Sequence, residues 1–491
     1  MDARFIPGWN SPKKQGLRIL QRYHSAGSRQ LGFGIYSLFN CEYGYRPFET
    51  TSRMGIPAPG ENMPSALDHD YRTKVFNDLF RDFHETAFAI RSADGWHWCS
   101  SPDEAPQCTL VFKTAAAWHA LMEDPTERTL GEAFIDGELD VEGDLFSVFP
   151  VVHYIIERPA SSRYNILRAL WHGSSDFARL LRHGPRHSMA RDRASISYHY
   201  DLPIDFYRPW LGPTLAYSCA YFRDPSESLE SAQTNKLELI CRKLGLRAGE
   251  RFLDIGCGWG SLVLHAASQY RVAAYGITLS KEQAAVSASR ISHAQLEDNC
   301  RVELRDYRKM PELPTRFDKI ASVGMFEHVG LKNLRDYFTI ALRMLHPDGV
   351  FLNHGIARSF TSPPSKDSFI DKYVFPDGEL VTLAQVLELA ESVGFEVRDV
   401  DNLRSHYDRT LRLWVDNLQQ NARTVLNYVS ERTYRIWLLY MAGSADAFRR
   451  GNIELYQVLL GPRPGRPSET VTTRENWYQS WSTTASKATV A

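Results

Sequence analysis

Three glycines at alternate positions, Gly256, Gly258 and Gly260, follow the apolar residues Phe252, Leu253 and Ile255 and the carboxylate of Asp254. The apolar run suits a buried parallel strand, and the glycines let the backbone turn tightly and approach a ligand with no Cβ in the way. A helical run from Ser261 to Ser268 comes directly behind. A dinucleotide loop would read G-x-G-x-x-G, with an acid about 20 residues on to hold a ribose. Here the spacing is G-x-G-x-G, and the next strand, Val272 to Ile277, leads into Thr278-Leu279-Ser280-Lys281-Glu282-Gln283 without an acid at its end. The pattern disfavours NAD and fits S-adenosylmethionine, which is cationic at sulfur and carries no phosphate.

The elements that would position this loop alternate strand and helix. Strands are expected at Val272 to Ile277, Val302 to Leu304, Lys319 to Val323 and Val350 to Asn353, with helices at Leu229 to Leu244, Lys281 to Ser292 and Leu334 to Leu345. This order predicts a doubly wound α/β domain, in which ligands sit at the carboxyl ends of the strands. Asp254, Thr278, Asp306, Glu327 and His354 are expected at or just beyond such ends.

Upstream, a smaller α+β unit begins at Tyr71. It comprises a helix through Val75 to Phe83, strands at Ala87 to Ser92, Trp96 to Cys99 and Thr109 to Phe112, a helix at Ala115 to Glu123, and a helix turning at Gly137 into a strand over Leu130 to Asp144. Between Arg163 and Arg193 seven arginines stand against two acids and alternate with Leu, Ile, Trp and Phe. Such a basic amphipathic stretch suits an anionic lipid surface, or serves as a linker between domains. From Tyr198 to Phe222 the chain is dense in aromatic residues, which can be core or can line a site for a cation.

Lys and Arg total 57 against 58 Asp and Glu, so the near-neutral chain is not a nucleic-acid binder as a whole. Seven scattered cysteines with no C-x-x-C pairing argue against zinc or a disulfide framework and point to the cytoplasm. The longest apolar stretch, Leu145 to Ile156, is interrupted by Pro150 and His153, so no membrane span is expected.

The runs Tyr198-His-Tyr-Asp-Leu, Tyr217-Ser-Cys-Ala-Tyr-Phe, Leu253-Asp-Ile-Gly-Cys-Gly-Trp-Gly, Tyr275-Gly-Ile-Thr-Leu-Ser-Lys-Glu-Gln, Ser322-Val-Gly-Met-Phe-Glu-His-Val-Gly and His406-Tyr-Asp-Arg-Thr-Leu occur in that order. Together they resemble the cyclopropane-fatty-acyl-phospholipid synthases, closely from Tyr198 to about Leu460. The resemblance implies a class I, Rossmann-like methyltransferase domain behind a smaller lipid-binding domain. The boundaries expected are 1–70 for an extension of unknown role, 71–160 for the lipid-binding domain, 161–194 for the basic linker, 195–462 for the catalytic domain and 463–491 for a tail.

The activity implied is methyl transfer from S-adenosylmethionine to a cis double bond of an unsaturated phospholipid, followed by proton loss that closes a ring. By resemblance, Tyr217, Ser218, Asp254, Gly256, Gly258, Trp259, Gly260, Thr278, Leu279, Gln283, Asp306, Tyr307 and Arg308 hold the cofactor, with Gln283 on the ribose in place of the missing acid. A bicarbonate serving as base would sit at Cys219, Glu327, His354, Ile356 and Tyr407. The expected partner is the bilayer surface, with a homodimer left open and no metal. Ser444 stands where the family commonly has a cysteine, so no covalent cysteine role is implied there. The same methylated cation can also be resolved to a branched, methylene or oxygenated chain. A nucleic-acid methyltransferase is disfavoured because the loop Gly324-Met-Phe-Glu-His-Val-Gly330 is not an Asn-Pro-Pro-Tyr clamp for a flipped base. A non-enzymatic lipid carrier would leave the cofactor motifs unexplained.

Overall fold

The computed structural model describes residues 69–157 and 202–478, apart from 115, 119–120, 122–125, 313, 363–368, 376–377 and 464–472. The basic segment Arg163 to Arg193, most of the extension over 1–70 and most of the C-terminal tail lie outside the described residues. By its contacts the chain divides into residues 1–65 and 66–491, and everything described below belongs to the second unit.

The larger sheet grows from β5 (Arg251–Ile255). Residues alternate between the faces of a strand, so Phe252 packs into one apolar cluster while Leu253 and Ile255 pack into another on the opposite face. Parallel neighbours β6 (Ala273–Thr278) and β8 (Phe317–Val323) flank it, β7 (Cys300–Leu304) lies beyond β6, and β9 (Leu345–Arg358) beyond β8. Two further strands, β10 (Phe395–Asn402) and β11 (Ile453–Pro462), complete a seven-stranded sheet in the order β10-β11-β9-β8-β5-β6-β7, with β11 antiparallel to both neighbours. The chain runs outward from β5 to β7 and then returns to β8, which creates a crevice at the carboxyl end of β5.

Helices α5 (Leu229–Leu244), α6 (Ser261–Tyr270) and α7 (Lys281–His293) cover the sheet near this crevice. The first starts at Ser228, whose side chain accepts from Ser231 N, and ends at left-handed Gly245; these are the stop and start signals that confine a helix to its apolar period. A smaller sheet, order β2-β1-β3-β4, is formed by β1 (Phe88–Ser92), β2 (His97–Cys99), β3 (Cys108–Phe112) and β4 (Leu139–Gly143). Rings of Phe76, Phe80, Phe88, Trp96 and Trp98 pack together in its core.

Up to β9 the element order follows the expected one, with differences at the edges, while the helix expected over 115–123 lies largely outside the described residues and β10 and β11 have no counterpart in the sequence reading. The first helix is α1 (His69–Leu79), ending before Phe83. Strand β9 extends to Arg358 and holds His354 in its interior, paired with Val323 on one side and Gln457 on the other. His354 is therefore not at the end of its own strand; it stands level with the end of β8, because β9 outruns its neighbour.

The long helix α13 (Glu431–Arg450) joins the two sheets. Arg432 reaches Asp136 at 2.9 Å, Asp446 meets His153 at 2.7 Å and Arg450 meets Glu157 at 2.7 Å, while Arg435 donates to the Phe134 carbonyl at 3.2 Å. These positions recur at helical spacing and so form a stripe along one side.

Candidate active site

The glycine loop opens onto a cleft of about 1110 Å³, including the part that faces solvent. Of the residues expected to hold a cofactor, Tyr217, Ser218, Asp254, Gly256, Gly258, Trp259, Thr278, Leu279, Gln283, Tyr307 and Arg308 line it. Gly258 has φ +54°, and a Cβ built there would meet nothing within 4 Å. The space beside it belongs to the cleft, as close backbone approach to a ligand requires. Gly256, at φ +82°, sits so close to the Met325 side chain that a Cβ would lie 2.8 Å from its Cγ.

Gly260 and Asp306 are not among the lining residues. Gly260 turns the chain into α6 with φ +82°, its Cβ position facing Ser287. The Asp306 carboxylate is taken up by the Arg308 guanidinium at 2.7 and 2.9 Å and by the Arg308 N–H, so it positions Arg308. Gln283 shares a bond with Thr278, whose hydroxyl donates to Gln283 Oε1 at 2.6 Å. That leaves the Gln283 side-chain NH2 as a donor in the lining of the cleft.

Three residues that the sequence reading passes over, the buried Gln233 and Lys236 and the half-buried Arg290, organise the irregular strap before α5. Gln233 donates to the carbonyls of Ala216 and Ser218, Lys236 donates to Ser218 Oγ at 2.8 Å, and Arg290 donates to the carbonyls of Thr214 and Trp259. Burial draws the Arg290 pKa down to about 10, with the Arg208 charge acting the same way. Burial also raises the Asp254 carboxyl to about 7, opposed by Lys236. One signal was available in the sequence: Gln233 and Lys236 interrupt an apolar helix face three residues apart.

Beyond the cleft, the residues expected around a base are connected through short backbone links. Where β9 runs past β8, the Ile356 N–H has no strand partner on that side and donates instead to Glu327 Oε1 at 2.7 Å. Gly355 permits this approach, since a Cβ there would overlap the Phe326 ring. Ile356 pairs across with Leu455, whose carbonyl accepts from Leu403 N; the Leu403 carbonyl in turn accepts from Tyr407 N and lies 3.9 Å from Cys219 Sγ.

Glu327 is 9% exposed, and its Oε2 has no partner among the described residues. Burial pushes its pKa up to about 7, opposed by the Ile356 N–H. His354 is 1% exposed, and burial followed by the charges of Lys236 and Lys243 lowers its pKa to about 3, so the ring stays neutral. Gln457 Nε2 donates to His354 Nδ1 at 3.1 Å. With the amide in this orientation the proton is on Nε2, which has no partner among the described residues.

Cys219 is fully buried, and its thiol pKa is raised by burial, which keeps it protonated. The Tyr407 ring packs on Phe448 at 4.8 Å. Tyr440 on α13 shares side-chain hydrogen bonds with Tyr217 and Ser444 and feels the charge of Glu327. The dense aromatic segment is mostly core: Phe206, Tyr207 and Trp210 are fully buried, and the Tyr207 ring packs at a tilt against Trp259, centroids 4.7 Å apart. Tyr217 and Trp259 carry that core to the cleft wall.

Residues 187–458 match the family described as mycolic acid cyclopropane synthetase. The chain belongs to this family. It is 39% identical over 380 residues to the probable fatty acid methyltransferase of Pseudomonas putida, covering 76% of this chain and 92% of that one. It is 41% identical over 262 residues to the cyclopropane-fatty-acyl-phospholipid synthase of Escherichia coli (strain K12), covering 53% of this chain and 66% of that one.

Among solved structures, the cyclopropane synthase MmaA2 from Mycobacterium tuberculosis is similar with a TM-score of 0.52 at 36% identity, over 55% of this chain and 97% of that one. The mycolic acid cyclopropane synthase CmaA1 complexed with SAH and CTAB gives 0.51 at 35% identity, again over 55% and 97%. As a member of the synthetase family the chain is an S-adenosylmethionine-dependent methyltransferase, and its seven-stranded sheet is the class I methyltransferase sheet.

Proposed function

We propose that this enzyme converts the cis double bond of an unsaturated phospholipid acyl chain into a cyclopropane ring, with bicarbonate held by Glu327 and His354. The observation that carries the reading is two buried atoms, Glu327 Oε2 and His354 Nε2, which like several others have no hydrogen-bond partner among the described residues. Buried polar groups are nearly always satisfied, and an acceptor and a donor left open on adjoining elements suit a small oxyacid anion. Ile356, Cys219 and Tyr407 would complete its seat, as the resemblance to cyclopropane-fatty-acyl-phospholipid synthases suggests.

An alkene is a poor nucleophile, so the chain's contribution is alignment and a wall that tolerates a developing cation. The rings of Tyr217 and Trp259 at the cleft supply that wall. S-adenosylmethionine, when bound, supplies the methyl group. Bicarbonate, when bound, would supply the base for the proton that leaves the added carbon. His354 holds its Nε2 proton as a neutral donor, and Glu327 in its ionised form accepts a proton. The small α+β domain and the basic segment before residue 194 would bring this site to the bilayer.

The test is incubation of the full chain with S-adenosylmethionine and vesicles of a cis-monounsaturated phospholipid, followed by fragmentation mass spectrometry and proton NMR of the acyl chains. A ring at the former double bond is expected. A methyl branch or exocyclic methylene would replace this reading with an open-chain fatty acid methyltransferase, which the 39% identity to the Pseudomonas putida protein favours as the second reading. Unchanged phospholipid in the presence of bound cofactor would exclude phospholipid as the substrate.

A further inference from the structure

The cleft is lined by three Lys or Arg side chains, Lys236, Arg305 and Arg308. Arg305 is paired with Glu303 at 3.1 Å and Arg308 with Asp306 at 2.7 Å. Lys236 is different. It is 2% exposed, and among the described residues its ammonium has a single hydrogen-bond partner, Ser218 Oγ at 2.8 Å, and no carboxylate within ion-pair distance. Lysine carries three donors and no acceptor, so two of its N–H groups remain unused. Because Ser218 must accept from Lys236, its own hydroxyl proton points elsewhere, and Ser218 also lines the cleft.

A buried cation without a counter-charge is unfavourable unless something compensates it. Asp254 is near enough for the two charges to influence one another, yet its Oδ1 is buried and has no hydrogen-bond partner among the described residues. The cleft therefore presents one open cationic donor pair, Lys236 with Ser218, and one open acceptor, Asp254. S-adenosylmethionine is zwitterionic at its amino-acid end, with an α-carboxylate and an α-ammonium.

We propose that Lys236, together with the Ser218 hydroxyl it orients, receives the α-carboxylate of the cofactor. Lys236 thereby acts as the residue that selects an amino-acid-bearing nucleoside over one without a carboxylate. This rests on the cofactor being S-adenosylmethionine and is independent of what happens to the acyl chain, so a failure here and a failure of the cyclopropane reading are distinguishable.

The test is calorimetric binding, without lipid, of S-adenosylmethionine and of decarboxylated S-adenosylmethionine, which keeps the sulfonium and the amine. Lys236→Met should weaken binding of the intact cofactor about tenfold or more, the scale of one charge-assisted hydrogen bond, and leave the decarboxylated compound within about twofold. Ser218→Ala should show the same selectivity to a smaller extent, and the double variant should fall short of the sum. Equal loss for both ligands, the outcome of a purely structural lysine, or no loss for either overturns the proposal. Should Lys236→Met fail to fold, Ser218→Ala decides in the same way: a selective loss supports the carboxylate seat, and equal affinity changes for the two ligands refute it.

Discussion

Glu327 is held under opposed demands: a base must be charged, and burial disfavours charge. With its carboxyl raised to about 7 by burial, the fraction able to accept a proton grows as pH rises through 7, and turnover should rise with it. The stability effect has the opposite sign. A folded-state pKa above the unfolded value means that the native protein binds more protons between about 4.5 and 7, so stability falls as pH rises across that window. Glu327→Gln should accordingly lower turnover roughly 100-fold or more, leave cofactor affinity intact and raise the melting temperature at pH 8 but not at pH 5. Near wild-type turnover in steady-state assays would remove Glu327 from the chemistry. Gly258 gives a second test at this scale. Valine there would project into the open cleft and would also be strained at φ +54°, by about 1–2 kcal/mol. Gly258→Val should abolish cofactor binding by calorimetry while the protein still unfolds cooperatively; unchanged affinity would contradict the loop's role.

At the scale of elements, the site depends on two strands from distant parts of the chain. His354 lies on β9 and Gln457 on β11, and their side-chain bond sets which imidazole nitrogen keeps the proton. Gln457→Leu removes the donor while keeping approximate volume, so His354 is free to take the other tautomer. Turnover should drop roughly 10- to 100-fold, as when a functional histidine loses the partner that orients it, with the dissociation constant for S-adenosylmethionine unchanged. A parallel loss in cofactor affinity would mean that the strand pairing itself was damaged. Glu327 needs the same register, since its bond to Ile356 exists only because β9 continues after β8 has ended.

At the scale of the molecule, α13 connects chemistry and architecture. One side contacts the helices beside the smaller sheet through Arg432, Asp446 and Arg450, while Tyr440 bonds to Tyr217 and to Ser444. Among the described residues no helix is long and apolar enough to cross a membrane. If the substrate is a bilayer phospholipid, as proposed above, the arginines between 163 and 193 would supply surface attraction to it. Reversing Arg179, Arg182 and Arg186 to Glu should weaken sedimentation with anionic vesicles by about 1 kcal/mol per residue at low salt. The difference should shrink as salt rises, because exposed charges are screened over about 10 Å at 0.1 M. Equal sedimentation with neutral and anionic vesicles would refute this role.

Features that depend on neighbouring residues were readable from the sequence. Alternate glycines demand an unusual backbone wherever they occur, period-two apolar runs give strands such as β5 and β6, and Ser228 and Gly245 delimit α5. These fixed the class of fold and the kind of cofactor. The sequence reading places no strand beyond Asn353, because β11 finds its place only by inserting antiparallel between β9 and β10. The partners that tune the site are similarly remote: 18 residues separate Lys236 from Ser218, 76 separate Arg290 from Thr214, and 103 separate Gln457 from His354. Whether a glutamate is an ordinary carboxylate or a base poised near neutrality depends on what excludes water from it. For Glu327 the turn that carries it packs on β9, with the Phe326 ring seated over Gly355, a contact that no local pattern encodes.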